Sequence, residues 1–340
     1  MTTCSKQTAK YLIRILITAG LLIWVFAQID FGEFWQAVKT ARWHFIIAVW
    51  GVAIVIFWIN SIKLQFILRK QDCKISIATI FRASAVTSLY SMILPGVLST
   101  GAKWYILKKD SGKGSNVLSS MVYNQLSTLL VMIVFGLVAL IITNPVLLLK
   151  TDISNRWLLP LICGILLTVI ILVSLLLFSS RTGGKIINGF GFLLRPFPVK
   201  IRQKGREIFD QIAIFQSAGW RFHLIVTIIT IASNIVVGAV AYILAARSAN
   251  ITAPLLVFVW LYAVIFVLGR IPISVANLGV REVTLVGLLG IYGVEKSQAL
   301  IMSMILFSIL ILMAVIGAIY QLSGTVTANK SAQQPSELAP

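Results

Sequence analysis

The side chains able to do chemistry gather in two short stretches. LGRIPISVANLGVRE (268–282) carries Arg270, Arg281 and Glu282 among Pro272, Ser274, Asn277 and Gly279. SIATIFRASAVTSLYSMILPGVLSTGAK (76–103) carries Arg82 and Lys103 with Pro95, Ser99, Thr100 and Gly101. Cations beside the hydroxyl, amide and backbone N–H groups of a helix start make an anion site, because free N–H groups and the helix dipole both favour negative charge. A phosphate-bearing ligand is the natural match. Glu282 has two readings, a structural partner that positions Arg281 or a direct contact to a ligand. Arg82 and Lys103 also have the length to snorkel to an interface, which is the plainer role for Lys103. Ser99, Thr100 and Gly101, like Ser274, Asn277 and Gly279, serve a ligand or only satisfy their own turns.

Other chemistry is poorly supplied. His44 and His223 are the only histidines and lie beside Trp43 and Phe222, an interfacial placement rather than a metal or proton-transfer pair. There are no paired carboxylates near either stretch, and GxxxxGK[ST], H-E-x-x-H and G-x-S-x-G are all missing. Cys4, Cys73 and Cys163 have neither disulfide nor zinc spacing. The expectation is a non-enzymatic protein without cofactor or metal.

The elements that must position these residues are membrane helices. The chain has 340 residues, 59% hydrophobic and 11% charged, with mean hydropathy +0.96. A span needs roughly 20 apolar residues, and 11–28, 43–62, 117–143, 157–178, 222–246 and 298–322 qualify. Runs 76–94 and 253–269 instead lead straight into Pro/Gly/Ser breaks. The uninterrupted first run has no cleavage site and reads as a retained helix. The formal charge of +19 is concentrated between spans, at 63–74 and 181–206. That is the pattern of topology determinants on anionic lipid, not of nucleic-acid binding. It places both termini in the cytoplasm and the protein in the inner (cytoplasmic) membrane, although Arg247 and Lys296 then fall on the outer side. Residues 1–322 read as one transmembrane domain, 185–217 as an amphipathic interfacial segment broken near Pro196 and Pro198, and 323–340 as a polar disordered tail. Asn124 and Gln125 suit interhelical hydrogen bonds.

The two broken stretches resemble each other. Each has an apolar run, a proline, small and polar residues, and a glycine followed two residues later by a cation (Gly101 and Lys103, Gly279 and Arg281). Irregular backbone at membrane depth must be shielded from lipid, so each predicts a re-entrant helical hairpin. The expected fold is an all-α polytopic membrane protein of about six full spans plus two re-entrant hairpins, about eight hydrophobic segments, arranged as an inverted repeat.

LPGVLSTGAK (94–103) and IPISVANLGVREVTLVGLLGIYGV (271–294) carry a family likeness: from about residue 10 to 322 the chain resembles the lysylphosphatidylglycerol synthetase transmembrane region, a flippase-like family. The second motif is the specific part, whereas Ala102 follows Gly101 where the family commonly has a second Gly or a Glu. The resemblance implies a lipid translocase fold, without room before residue 340 for the soluble aminoacyl-transferase domain of bifunctional relatives. The expected function is movement of an anionic, aminoacylated or glycosylated lipid between leaflets. Arg281, Arg270 and Arg82 would engage phosphate, and Glu282 would orient Arg281 or an ammonium group. The alternatives are a membrane-embedded transferase acting on a lipid-linked substrate, or a partner subunit of a separately encoded lipid-modifying enzyme.

Overall fold

The computed structural model describes residues 41–93, 96–144, 157–178, 218–270 and 277–332, together with Gly32, Trp35, Lys39 and Phe215. Among the described residues the regular elements are helices: α1 (Trp43–Arg69), α2 (Ile77–Ile93), α3 (Gly96–Ser111), α4 (Gly114–Thr143), α5 (Leu158–Phe178), α6 (Trp220–Ser248), α7 (Leu255–Leu268), α8 (Val280–Gly290) and α9 (Lys296–Ala332). Four of them, α1, α4, α6 and α9, are long and apolar enough to cross a membrane. They are apolar around the whole circumference, as a helix facing lipid on one side and protein on the other must be. At 1.5 Å per residue each exceeds about 40 Å, against a hydrocarbon thickness of about 30 Å. By the same rule α2, α3, α7 and α8 reach only about 26, 24, 21 and 16 Å.

The long helices and α5 correspond to the runs at 43–62, 117–143, 157–178, 222–246 and 298–322, while the run at 11–28 lies outside the described residues. Two boundaries move. α1 continues to Arg69 and so takes in Lys63, which hydropathy assigns to a basic connection; the side chain is fully buried, which keeps the helix going. α9 runs to Ala332, past the boundary at 322 where the tail was expected to begin. Of the expected interfacial segment 185–217 only Phe215 is described, and it is buried with its ring stacked 4.4 Å from that of Tyr123.

The ends of the helices show how the short ones are arranged. α1 ends where α4 begins: Asn116 at the start of α4 donates to the Gln71 side chain (3.3 Å), and Lys113 donates to the Asp72 carbonyl (3.3 Å). Both α2 and α3 open onto this same end, since Gln65 donates to Ile75 O (2.8 Å) and Trp104 Nε1 to Gly114 O (2.9 Å). α6 lies antiparallel to α1. Arg42, before α1, donates its N–H to Ser248 O at the end of α6 (3.1 Å), while Phe66 near the end of α1 stacks on Phe222 near the start of α6 (5.1 Å). Residues 249–254 and 291–295, which precede α7 and follow α8, share one apolar cluster with the end of α6 and the start of α9. The pair α7 and α8 therefore opens at the end of the bundle opposite to α2 and α3.

The packing is reciprocal. α1 packs on α6, α2 on α9, and α7 on α4. Each short first limb meets the last long helix of the other half through an alanine against a glycine. A Cβ on Gly317 of α9 would fall 2.3 Å from Ala85 O of α2, and one on Gly136 of α4 would fall 3.1 Å from the Ala263 Cβ of α7. Ala85 and Ala263 stand at the same distance from the starts of their helices, Ile77 and Leu255. Small residues at such seams let helices approach without a hydrophobic drive, which lipid cannot supply.

Candidate functional site

The break after α7 ends in a tight corner. Asn277 (φ 59°) and Gly279 (φ 84°) both take left-handed backbone, which Asn tolerates and Gly adopts freely. Asn277 Nδ2 donates back to Gly269 O (3.2 Å), tying the two sides of the break together. Gly269 must remain without a side chain, because a Cβ there would fall 2.4 Å from Asn277 Nδ2.

Gly279 caps α8, and the third residue of the helix, Glu282, reaches back to accept its N–H at Oε2 (2.7 Å), the return half of a capping box. Glu282 Oε1 accepts from Arg281 Nη2 and from Ser303 Oγ of α9 (2.8 Å). Arg281 Nε in turn donates to Ser303 Oγ (2.7 Å), and the guanidinium lies 5.4 Å from the Phe307 ring. Arg281, Glu282 and Ser303 thus form a closed, buried network joining α8 to α9. It is the single ion pair among the described residues. Of the two readings of Glu282 the geometry carries the structural one: the carboxylate holds the cap, the arginine and the next helix at once.

The other face of Arg281 borders a cavity of about 340 Å³. Tyr242 of α6, Tyr262 and Phe266 of α7, Arg270, Asn277 and Thr284 also line it, with Leu306 and Ile309 of α9 completing the wall. Arg270 is exposed at the end of α7 with its guanidinium 4.5 Å from the Phe266 ring. Two arginines face this space and Glu282 does not line it. Arg281 is balanced by Glu282, so the net positive charge at this space is that of Arg270.

The structure brings Arg270, Asn277, Gly279, Arg281 and Glu282 together and leaves the first stretch apart. Arg82 is exposed on α2 and does not line the cavity. Ser99, Thr100 and Gly101 lie within the body of α3, past its opening residues, so they do not cap it as their spacing suggested. Ser99 is buried, Thr100 and Gly101 are exposed, and Lys103 is partly buried one helical turn after Ser99. Pro95, Pro272 and Ser274 lie outside the described residues. Tyr242, Tyr262 and Ser303 went unnoticed in the sequence because they sit inside apolar runs with no break beside them.

A second polar group lies where α1, α4 and α6 meet. Lys63 Nζ donates to Thr128 Oγ1 (2.6 Å), and Thr128 donates to Asn124 O (2.8 Å). On α6 the helix widens to a π-helical turn over Ile231–Val236, where Ser233 and Asn234 donate to Asn60 Oδ1 of α1 (3.2 and 3.4 Å). The interhelical hydrogen bond expected of Asn124 is not seen, because its contact with Thr128 is through the backbone carbonyl within α4 and its side-chain Oδ1 has no partner among the described residues, and Gln125 is exposed. His44 is exposed at the start of α1 as an interfacial residue, but His223 reaches inward, Nδ1 2.7 Å from the Tyr123 hydroxyl.

The long apolar helices define a multi-pass membrane protein, with an arginine-lined cavity between α6, α7, α8 and α9. The chain belongs to the lysylphosphatidylglycerol synthase TM region family, whose model matches residues 11–318. That family places the chain in lipid modification or translocation. No curated protein and no solved structure matches the chain significantly.

Proposed function

We propose that this protein is a lipid translocase of the cytoplasmic (inner) membrane. It moves a lipid between leaflets by passing the headgroup through a polar cavity while the acyl chains stay in the bilayer. The observation that carries the reading is the cavity at the second break, lined by Arg270 and Arg281, with Glu282 absent from its wall and engaged in the α8–α9 network. Arg270 has no carboxylate partner among the described residues, and a charge in a membrane protein calls for a cavity or a partner of opposite sign.

The helix ends support the remainder. The pairs α2–α3 and α7–α8 are each too short to span, and they open at opposite ends of the bundle. In this reading they are two re-entrant hairpins of an inverted repeat, the architecture in which a central site is opened alternately to each side. In this reading the basic residues at 69–74 and 181–206 keep both termini in the cytoplasm.

The test is transbilayer movement of fluorescent phospholipids and a polyprenyl-linked lipid in proteoliposomes, followed by quenching with an impermeant reductant. Wild-type protein accelerates at least one of them over protein-free vesicles, and Arg270→Gln slows it about tenfold or more, the effect of losing one charge-assisted phosphate contact. Movement no faster than in empty vesicles for every lipid class, from protein that is folded by circular dichroism and thermal melting, would overturn the proposal.

A further inference from the structure

Resting on the translocase reading, the cavity also discriminates between headgroups. The Glu282 carboxylate does not line the cavity, and its contacts are all within the protein: Gly279 N–H on Oε2, and Arg281 Nη2 with Ser303 Oγ on Oε1. The side chain is about as buried as the surrounding apolar residues, at 3% exposure. An ammonium group entering the space would meet the Arg270 guanidinium, unpaired among the described residues, beside an Arg281 already balanced by Glu282, and no carboxylate on the wall. Like charges set against each other at a binding site are a strong device for rejecting a ligand.

What the cavity offers instead suits an acid. Among the described residues the Arg270 guanidinium has neither an ion pair nor a hydrogen bond to engage it, only the Phe266 face. The Tyr242 and Tyr262 rings meet edge to face at 5.0 Å along one wall, and neither hydroxyl is hydrogen-bonded within the described protein. Phenol hydroxyls, the Asn277 amide and aromatic faces are the groups that recognise an uncharged, hydroxyl-bearing substituent. About 340 Å³ is at the small end of ligand pockets, which run from about 300 to 1,000 Å³. There is room for a phosphate and one compact substituent.

We infer that the ligand is an acidic lipid whose phosphodiester carries an uncharged, hydroxylated group, a polyol or a single sugar, and that headgroups bearing an ammonium are rejected. The phosphate sits between Arg270 and Arg281, with the hydroxylated group against Tyr242 and Tyr262. Glu282 is then a positioning residue, which fixes Arg281 and does not touch the lipid.

The experiment compares four labelled lipids with identical acyl chains in the same proteoliposomes: phosphatidylglycerol, phosphatidylinositol, phosphatidylethanolamine and an aminoacylated phosphatidylglycerol. The two acidic, hydroxylated lipids are expected to move about tenfold faster than either ammonium-bearing one. Tyr262→Phe should slow phosphatidylinositol more than phosphatidylglycerol. Equal rates for all four, or faster movement of an ammonium-bearing lipid, would overturn the headgroup inference while leaving the translocase reading intact. If no lipid moves, the translocase reading fails, and thermal stabilisation of the detergent-solubilised protein by each lipid decides the inference by itself. Stabilisation by the two acidic lipids alone supports it, and equal stabilisation by all four refutes it.

Discussion

Lys63 allows the energetics of the bundle to be tested without any assay of transport. Its side chain is fully buried on α1, and its ammonium has the Thr128 hydroxyl as hydrogen-bond partner at 2.6 Å. No carboxylate pairs with it, since the ion pair among the described residues is Arg281–Glu282. A lysine at the centre of a span costs about 2.5–3.5 kcal/mol on insertion scales, an upper bound for Lys63 near the end of α1, and a hydrogen bond to a charged group returns about 1.5–3 kcal/mol. The balance leaves Lys63 unfavourable by about 1 kcal/mol. Methionine has nearly the same length, is apolar and fills irregular gaps. Thr128 keeps a partner in the Lys63→Met protein because its hydroxyl still donates to Asn124 O at 2.8 Å. Lys63→Met should therefore stabilise the protein by about 1 kcal/mol, a rise of about 2 °C in melting temperature. Thr128→Val strips the ammonium of its partner and should cost about 1–3 kcal/mol. The double variant should return close to Lys63→Met, with a coupling of 1 kcal/mol or more in the double-mutant cycle. The assay is thermal unfolding of purified protein in one detergent. A Lys63→Met protein that melts several degrees lower, or strictly additive single effects, would refute the reasoning.

Other substitutions test the remaining contacts. Glu282→Gln leaves Arg281 buried without its carboxylate and should cost about 3 kcal/mol, seen as a fall of several degrees in melting temperature. Gly317→Ala forces a Cβ against Ala85 O at the α2–α9 seam and should cost about 1–3 kcal/mol. Gly51→Ala, where nothing lies within 4 Å, should be neutral or slightly stabilising in the same melt. Cys73, buried in the connection between α1 and α2, has its thiol pushed up by burial against a weaker downward pull from Lys113. Its thiolate is therefore scarce at neutral pH and grows only as pH rises through this raised value. Maleimide labelling in intact membranes should be slow at pH 7 and should jump once SDS unfolds the protein.

Hydropathy located the long helices because twenty apolar residues have no other home, and it located the two breaks because proline, glycine and charge cannot continue a lipid-facing helix. It also made Arg281 and Glu282 conspicuous. The use of Glu282 was not legible, because its partners Gly279 and Ser303 belong to the corner before α8 and to the next helix, and only packing brings them together. The burial of Lys63 is not legible in the sequence for a related reason. A cation six residues before Arg69 has the composition of a helix end, and nothing in one dimension says that α4 supplies a hydroxyl to it. Tyr242 and Tyr262 were invisible because an aromatic residue within an apolar run reads as core whether or not a cavity lies beside it.

The reciprocal seams bear on how the molecule is made. α2 rests on α9, more than two hundred residues later in the chain, and Ala85 meets Gly317 with no side chain to cushion the contact. A ribosome delivers α2 and α3 to the membrane long before their seat exists. Until α9 arrives, α2 and α3 have only their neighbours α1 and α4 to pack against. α7 meets no such delay, because α4 is already in place when it emerges. Biogenesis is thus asymmetric in a molecule whose finished halves mirror each other's contacts, and the last long helix to be synthesised closes both.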